Sequence, residues 1–159
     1  MNKRALIKKI VAKLADELET YFRAAQFSRA EATHESSKAE NKYDTRGLEA
    51  SYLARGQSKQ AAEIKSAIAA FEELPAKKFG ADAAVDLGAL VELESRQERT
   101  LYFLGPRAGG TEIIHQKREI LVITPQSPLG RQLMGRKQGD RLELALGGSR
   151  EQYRILTVA

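Results

Sequence analysis

Ile7, Val11, Leu14, Leu18, Tyr21 or Phe22, and Ala25 recur at alternating spacings of three and four, so they form one apolar seam on an otherwise charged helix. A second series, Leu53, Gln57, Ala61, Ile64, Ile68 and Phe71, is weaker at its start, where Arg55-Gly56-Gln57-Ser58 interrupts the stripe. Gly56 alone costs about 1 kcal/mol relative to alanine in a helix interior. Between the two series, Thr33 to Gly47 holds no apolar residue except Ala39 and Tyr43. The pattern predicts two antiparallel helices packed along one seam over residues 3–74, with the polar segment at their distal end. At 1.5 Å per residue, an arm of some 25 residues extends roughly 35 to 40 Å, longer than a small domain is wide. Such a hairpin serves equally as a probe or as a scaffolding and dimerising coiled coil.

The period changes after Pro75. Ala89 to Leu93 and Thr100 to Leu104 read as strands joined by a turn at Arg96-Gln97-Glu98, and Glu112 to His115 and Glu119 to Thr124 as two more. Gly105 to Thr111, between them, reads as a hairpin loop. Ser127 can cap a helix whose first residue is Pro128, where a missing amide hydrogen costs nothing. Leu129, Leu133 and Met134 share one face of that helix, and Gly135 supplies a left-handed stop. Gln138-Gly139-Asp140 then makes a turn into a strand near Arg141 to Leu146, and Gly147-Gly148 leads to a last one at Gln152 to Val158. The predicted class is α+β, an N-terminal antiparallel helical hairpin over 1–76 with its tip around 33–47, then a mostly antiparallel sheet with one short helix over 77–159.

Composition agrees with that division. The first 74 residues contain only Gly47 and Gly56 as glycines, whereas all four prolines lie from Pro75 onward. The absence of cysteine excludes disulfides and thiolate metal sites, and two histidines leave little for metal binding. No apolar run approaches the roughly 20 residues of a membrane-spanning helix, and cations interrupt Met1 to Lys13, so a cytoplasmic protein with no membrane partner is expected. The net charge of +5, from 26 Lys and Arg against 21 Asp and Glu, favours polyanionic partners, but both signs mix along the chain and define no dedicated DNA-reading surface. Lys3, Arg4, Lys8, Lys9 and Lys13 fall around the first helical turns, where they could meet an acidic partner or simply keep the surface solvated.

The run from Ser127 to Leu144 resembles the C-terminal domain of the Gre-type (GreA/GreB) transcription elongation and transcript-cleavage factors. Their corresponding run reads roughly Ser-Pro-Ile-Ala-Arg-x-Leu-Leu-Gly-Lys-x-x-Gly-Asp, and this chain retains Ser127, Pro128, Arg131, Leu133, Gly135, Gly139 and Asp140. A long helical hairpin ahead of this signature is also the family's domain order. The resemblance implies an FKBP-like C-terminal fold that docks on bacterial RNA polymerase, with Ser127, Pro128, Leu129 and Arg131 bordering the docking surface. It implies further that the coiled coil enters the secondary channel, where acidic tip residues help hold the polymerase's second Mg²⁺ and orient water so that a backtracked polymerase cleaves its own transcript. Contact with nucleic acid would come through the transcription complex. No cofactor is implied for the free protein, which would be no enzyme of its own.

At the tip this sequence departs from the family. The family's stretch reads approximately Gly-Asp-Leu-Lys-Glu-Asn-x-Glu-Tyr, against Glu35-Ser36-Ser37-Lys38-Ala39-Glu40-Asn41-Lys42-Tyr43 here. Aligned on the tyrosine, Ser36 and Ala39 stand where the family has its two acids. With a one-residue deletion Glu40 keeps one acid and Ser37 replaces the other. A hydroxyl is neutral and a far weaker Mg²⁺ ligand than a carboxylate. Glu35, Glu40 and Asp44 are the acids that remain, and Glu40 and Asp44 share a face if the segment is helical. They read as candidate Mg²⁺ contacts within the polymerase, or as solvating charges paired with Lys38, Lys42 and Arg46. The alternatives are therefore a channel-binding regulator without cleavage, and a basic coiled-coil nucleic-acid binder.

Other motifs carry less. Gly105 to Gly110 lacks the Gly-Lys-Ser/Thr ending and following helix of a phosphate loop. His34 and His115 stand in no ligand-like spacing and read as ordinary polar residues. Tyr102, Phe103 and Tyr153 are the aromatics of the predicted strands, a poor lining for a prolyl-isomerase pocket.

Overall fold

The computed structural model describes residues 1–33 and 46–159, in the order α1 (Lys3–Thr33), α2 (Arg46–Glu73), β1 (Leu90–Ser95), β2 (Glu98–Leu104), β3 (Glu112–His115), β4 (Arg118–Ile123), α3 (Pro128–Leu133), β5 (Arg141–Leu146) and β6 (Ser149–Val158). The class is α+β, with long helices first and then a sheet with one short helix. Contacts divide the chain into two compact units, one of Met1–Val11 with Ala70–Ala159 and one of Ala12–Ala69.

In the unit of Ala12–Ala69, Leu14, Ala61 and Ala67 are buried, while Leu18, Ile64 and Ile68 are half-buried, as an apolar seam between two helices requires. Of the two residues open to the next seam position, Tyr21 is half-buried and takes it, which leaves Phe22 outside. Phe22 is 44% exposed, and the Lys65 ammonium lies 6.0 Å from its ring centroid, a distance at which a cation still gains from the π face. Helix α2 runs unbroken through Gly56.

In the other unit, Asn2 opens α1 by accepting a hydrogen bond from the Ala5 amide at 3.2 Å. Leu6 and Ile10 are fully buried although they lie off the heptad seam. The sheet has the order β3-β4-β2-β1-β6-β5. Four of its five junctions are antiparallel, and β2 and β4 are parallel, so the sheet is mixed rather than antiparallel throughout. This placement corrects the reading of Gly105 to Thr111 as a hairpin loop. The segment carries the chain from β2 past the position of β4 to the edge strand β3, and the β3-β4 hairpin then returns beside β2. Gly105 permits the crossover, since a Cβ there would come within 2.7 Å of Phe71 Cζ and 2.9 Å of Val122 Cγ1.

Alternation along the strands fills both faces of the sheet. On one, Phe103 stacks on Phe71 at 6.4 Å between centroids. On the other, Val91, Leu93, Leu104, Ile123, Leu142 and Ile155 join Leu133 of α3 in the core. This alternation turns Phe103 away from Tyr102 and Tyr153, which pack on the core at the α3 side.

Three hairpins close through two-residue turns with positive φ at both positions: Arg96-Gln97 (51° and 69°), Gln116-Lys117 (52° and 62°) and Gly147-Gly148 (56° and 86°). These are the turns whose twist matches that of paired strands. The glycine pair adopts them freely, whereas each left-handed non-glycine residue costs about 1 to 2 kcal/mol. Replacing Gln116-Lys117 by Asn-Gly is therefore expected to raise stability by about 0.5 to 1 kcal/mol after the added freedom of glycine in the unfolded chain is deducted. Thermal unfolding checks this, and an unchanged or lower midpoint would refute it.

Candidate functional site

The segment from Thr124 to Asp140 is tied down at both ends by local chemistry. Ser127 has extended backbone angles (φ −66°, ψ 155°) and caps α3, its Oγ accepting from the Gly130 amide at 3.1 Å and donating to the Thr124 carbonyl at 2.7 Å. Pro128 occupies the first helical position and is exposed. Gly130 is buried against the same carbonyl, and a Cβ there would fall 1.9 Å from Thr124 O. That close approach was not legible in the sequence, where Gly130 looks like an ordinary helix-weakening residue.

After α3 the chain reverses at Gly135 (φ 80°), whose amide donates to the Val85 carbonyl at 2.9 Å. Gly139 (φ 89°) forms the second turn, closed by the Asp140 amide on Lys137 O at 3.0 Å and by Asp140 Oδ2 accepting from the Lys137 amide at 2.9 Å. The Gly139 amide then reaches Ile155 O at 2.8 Å, and the Ile155 amide returns to Asp140 O at 2.9 Å. The motif is thereby fastened to β6 by backbone bonds at fixed register.

The structure separates the residues of the motif by role. Leu133 is fully buried and Met134 half-buried on the core, as their spacing predicts. Leu129 also packs partly against the core, which leaves less of it for a partner than Pro128 or Arg131 offer. Arg131, Arg136 and Lys137 are exposed and enter no ion pair among the described residues. The outcome is a rigid, apolar-edged turn carrying three free cations. The tip candidates Glu35, Glu40 and Asp44, together with His34, lie outside the described residues. Among the described residues no cluster of His, Cys, Asp and Glu could hold a metal ion, and no helix is long and apolar enough to cross a membrane.

Three further groups stand out electrostatically. On the α3 side of the sheet, burial together with hydrogen bonding to Glu151 pushes the Tyr153 phenol up to about 12, so it stays a donor, and it donates to Glu151 Oε2 at 2.8 Å. Burial also raises the pKa of Tyr102. On the opposite side His115 is 5% exposed with neither ring nitrogen hydrogen-bonded, and burial lowers its pKa below the ordinary histidine range. Its burial differs from the ordinary polar role that its sequence context suggests. Its position opposite Arg118 on an edge strand, inward beside Ile113, gave the available signal.

The family described as transcription elongation factor, GreA/GreB, C-terminal domain matches residues 81–159, which contain the whole sheet and the capped motif. Comparison with curated proteins gives no match. Among solved structures, Gfh1 of Thermus aquaticus is 24% identical over 92% of each chain with a TM-score of 0.41. The GreA factor homolog 1 (Gfh1) of Thermus thermophilus is 21% identical over 94% of each chain with a TM-score of 0.38. A GreA/GreB elongation factor from Nitrosomonas europaea is 21% identical over 74% of this chain and 94% of its own, with a TM-score of 0.38. Residues 81–159 thus form a C-terminal domain of the GreA/GreB family of transcription elongation factors.

Proposed function

We propose that this protein binds bacterial RNA polymerase in the cytoplasm through the Ser127–Asp140 motif and places its helical hairpin in the secondary channel, where it modulates elongation. The observation that carries the reading is the motif itself. Ser127 capping, the Gly135 reversal and the bonds of Gly139 and Asp140 to β6 hold Pro128 and Arg131 outward on a fixed platform. An exposed proline beside a guanidinium that enters no ion pair among the described residues offers a partner a stiff apolar contact and five hydrogen-bond donors on a backbone already held in place. The protein makes or breaks no bond itself in this reading. Any RNA cleavage would be the polymerase's own, with Glu40 and Asp44 contributing to its Mg²⁺ site.

The substitutions Ser127→Ala and Pro128→Ala made together are expected to weaken polymerase binding about tenfold, the equivalent of one lost contact and a looser turn. The folded domain should survive, since loss of an N-cap costs about 1 kcal/mol. Affinity for core polymerase measured by fluorescence anisotropy checks this, and unchanged affinity in a folded variant would remove the motif from docking. A second reading, a channel occupant that does not stimulate cleavage, is favoured by the loss of family acids in either register, to Ser36 and Ala39 in one and to Ser37 in the other.

A further inference from the structure

The N-terminal cations singled out in the sequence do not behave alike. Lys9 Nζ donates to the Ile114 carbonyl at 3.0 Å, which fixes α1 to the edge strand β3. Lys3 is held instead on the segment that follows α2. Its ammonium donates to Lys77 O at 2.6 Å and Gly88 O at 3.0 Å and lies 4.2 Å from the centre of the Phe79 ring. Two of its three protons are thereby directed to neutral carbonyls. The third makes no hydrogen bond among the described residues, where the Phe79 ring is its neighbour, and burial lowers the pKa of the group to about 8.

Around it is a cleft of about 630 Å³ lined by Lys3, Arg4, Ala76, Lys77, Lys78 and Phe79 among others. Lys77 pairs with Asp86 at 3.6 Å, while Arg4 and Lys78 are exposed and enter no ion pair among the described residues. Four cationic side chains therefore line one hollow that Ala159 also borders, and among the described residues Asp86 is the one carboxylate side chain paired with them. Lys3, Arg4 and Lys78, with no acidic side chain paired to them among the described residues, set up a positive potential over the hollow that attracts an anion.

We propose that this cleft seats a short acidic segment of a protein partner, with its carboxylates on Lys3, Arg4 and Lys78 and an apolar neighbour against Phe79. A nucleic-acid backbone is disfavoured because its phosphates extend as a continuous line, whereas Glu72, Glu73, Asp82 and Asp86 flank the 76–79 segment in the chain. A short peptide fits between those acids, and the Phe79 ring gives it an apolar contact that a phosphate cannot use. The inference is independent of the tip chemistry and of docking through Ser127 and Pro128.

The test uses the full chain with isotope-labelled lysine, acetyl-hexaglutamate amide as the acidic peptide and a twelve-nucleotide oligothymidylate as the competing polyanion. Lys3 serves as reporter, since its own substitution would disturb the 77–88 backbone that it holds. The peptide should raise the Lys3 pKa above about 8. Its binding should weaken with added salt and should fall about tenfold in the variant carrying Arg4→Gln and Lys78→Gln. A Lys3 titration that the peptide leaves unchanged would overturn the inference, as would peptide binding indifferent to the two substitutions. Equal binding of the oligothymidylate through the same residues would reassign the cleft to nucleic acid. No polymerase is present, so failure here is separate from failure of the docking reading.

Discussion

Below about pH 6.5 this protein is expected to lose stability, in a step that His115→Phe removes. His115 is 5% exposed, with Nδ1 and Nε2 both unbonded, and the causes that depress its pKa are burial first, then the Lys9 ammonium and the N-terminal ammonium. Arg118, opposite it across the hairpin, is paired with Glu92 instead. A depressed folded pKa means that the unfolded chain takes up the proton first as pH falls. The contribution of neutral His115 is thus fully present above about 6.5 and is lost as pH falls toward the lower folded value, at up to ~1.4 kcal/mol per pH unit. Carboxylates titrate mostly below that window, and the difference in unfolding midpoints between the protein and His115→Phe from about pH 7 to 5 separates His115 from His34. Phenylalanine fills the site without two unsatisfied nitrogens, and the variant should be at least as stable at pH 7. An identical pH slope in His115→Phe would show that the imidazole is solvated in solution.

The parts of this fold that sequence made legible are those whose signals are local. Ser127, Pro128, Gly135 and Gly139 each declare a cap, a first turn, a stop and a turn through their own backbone chemistry, and the structure places α3 and β5 accordingly. The heptad seam likewise yields both long helices. Leu6 and Ile10 escaped it because their burial comes from packing with residues 70–159, a non-local demand that a single-helix period cannot carry. The parallel pairing of β2 with β4 was illegible for the same reason, since the apolar run Ile120 to Ile123 suits a buried strand of either direction. Arg96-Gln97 and Gln116-Lys117 conceal their turn type because they lack the glycine that marks Gly147-Gly148. Gly130 and His115 show the limit for sites, since Gly130 owes its importance to a close approach to the Thr124 carbonyl and His115 to burial, and residue type declares neither.

Alanine at both Glu40 and Asp44 is expected to abolish stimulated transcript cleavage while leaving polymerase binding intact. Docking through Ser127 to Arg131 and chemistry at the hairpin tip are assigned to separate ends of the sequence, so the two readouts should part. A carboxylate held against the polymerase's second Mg²⁺ supplies charge that a serine hydroxyl cannot. Its loss should cost about 3 kcal/mol of barrier, a hundredfold in cleavage rate. Backtracked complexes supplied with this protein, beside an established Gre factor, provide the measurement. Stimulation that survives in the double variant would remove both acids from the mechanism. If the unaltered protein instead competes with the established factor and stimulates nothing, the tip serines and alanine are the cause to test. Ser36→Asp with Ala39→Glu restores acids at the two positions where the tyrosine-anchored alignment places them, and cleavage should then appear. A silent restored variant that still binds would mean that the tip fails to reach the metal, so that the geometry of the hairpin, and not its lost charge, sets the outcome.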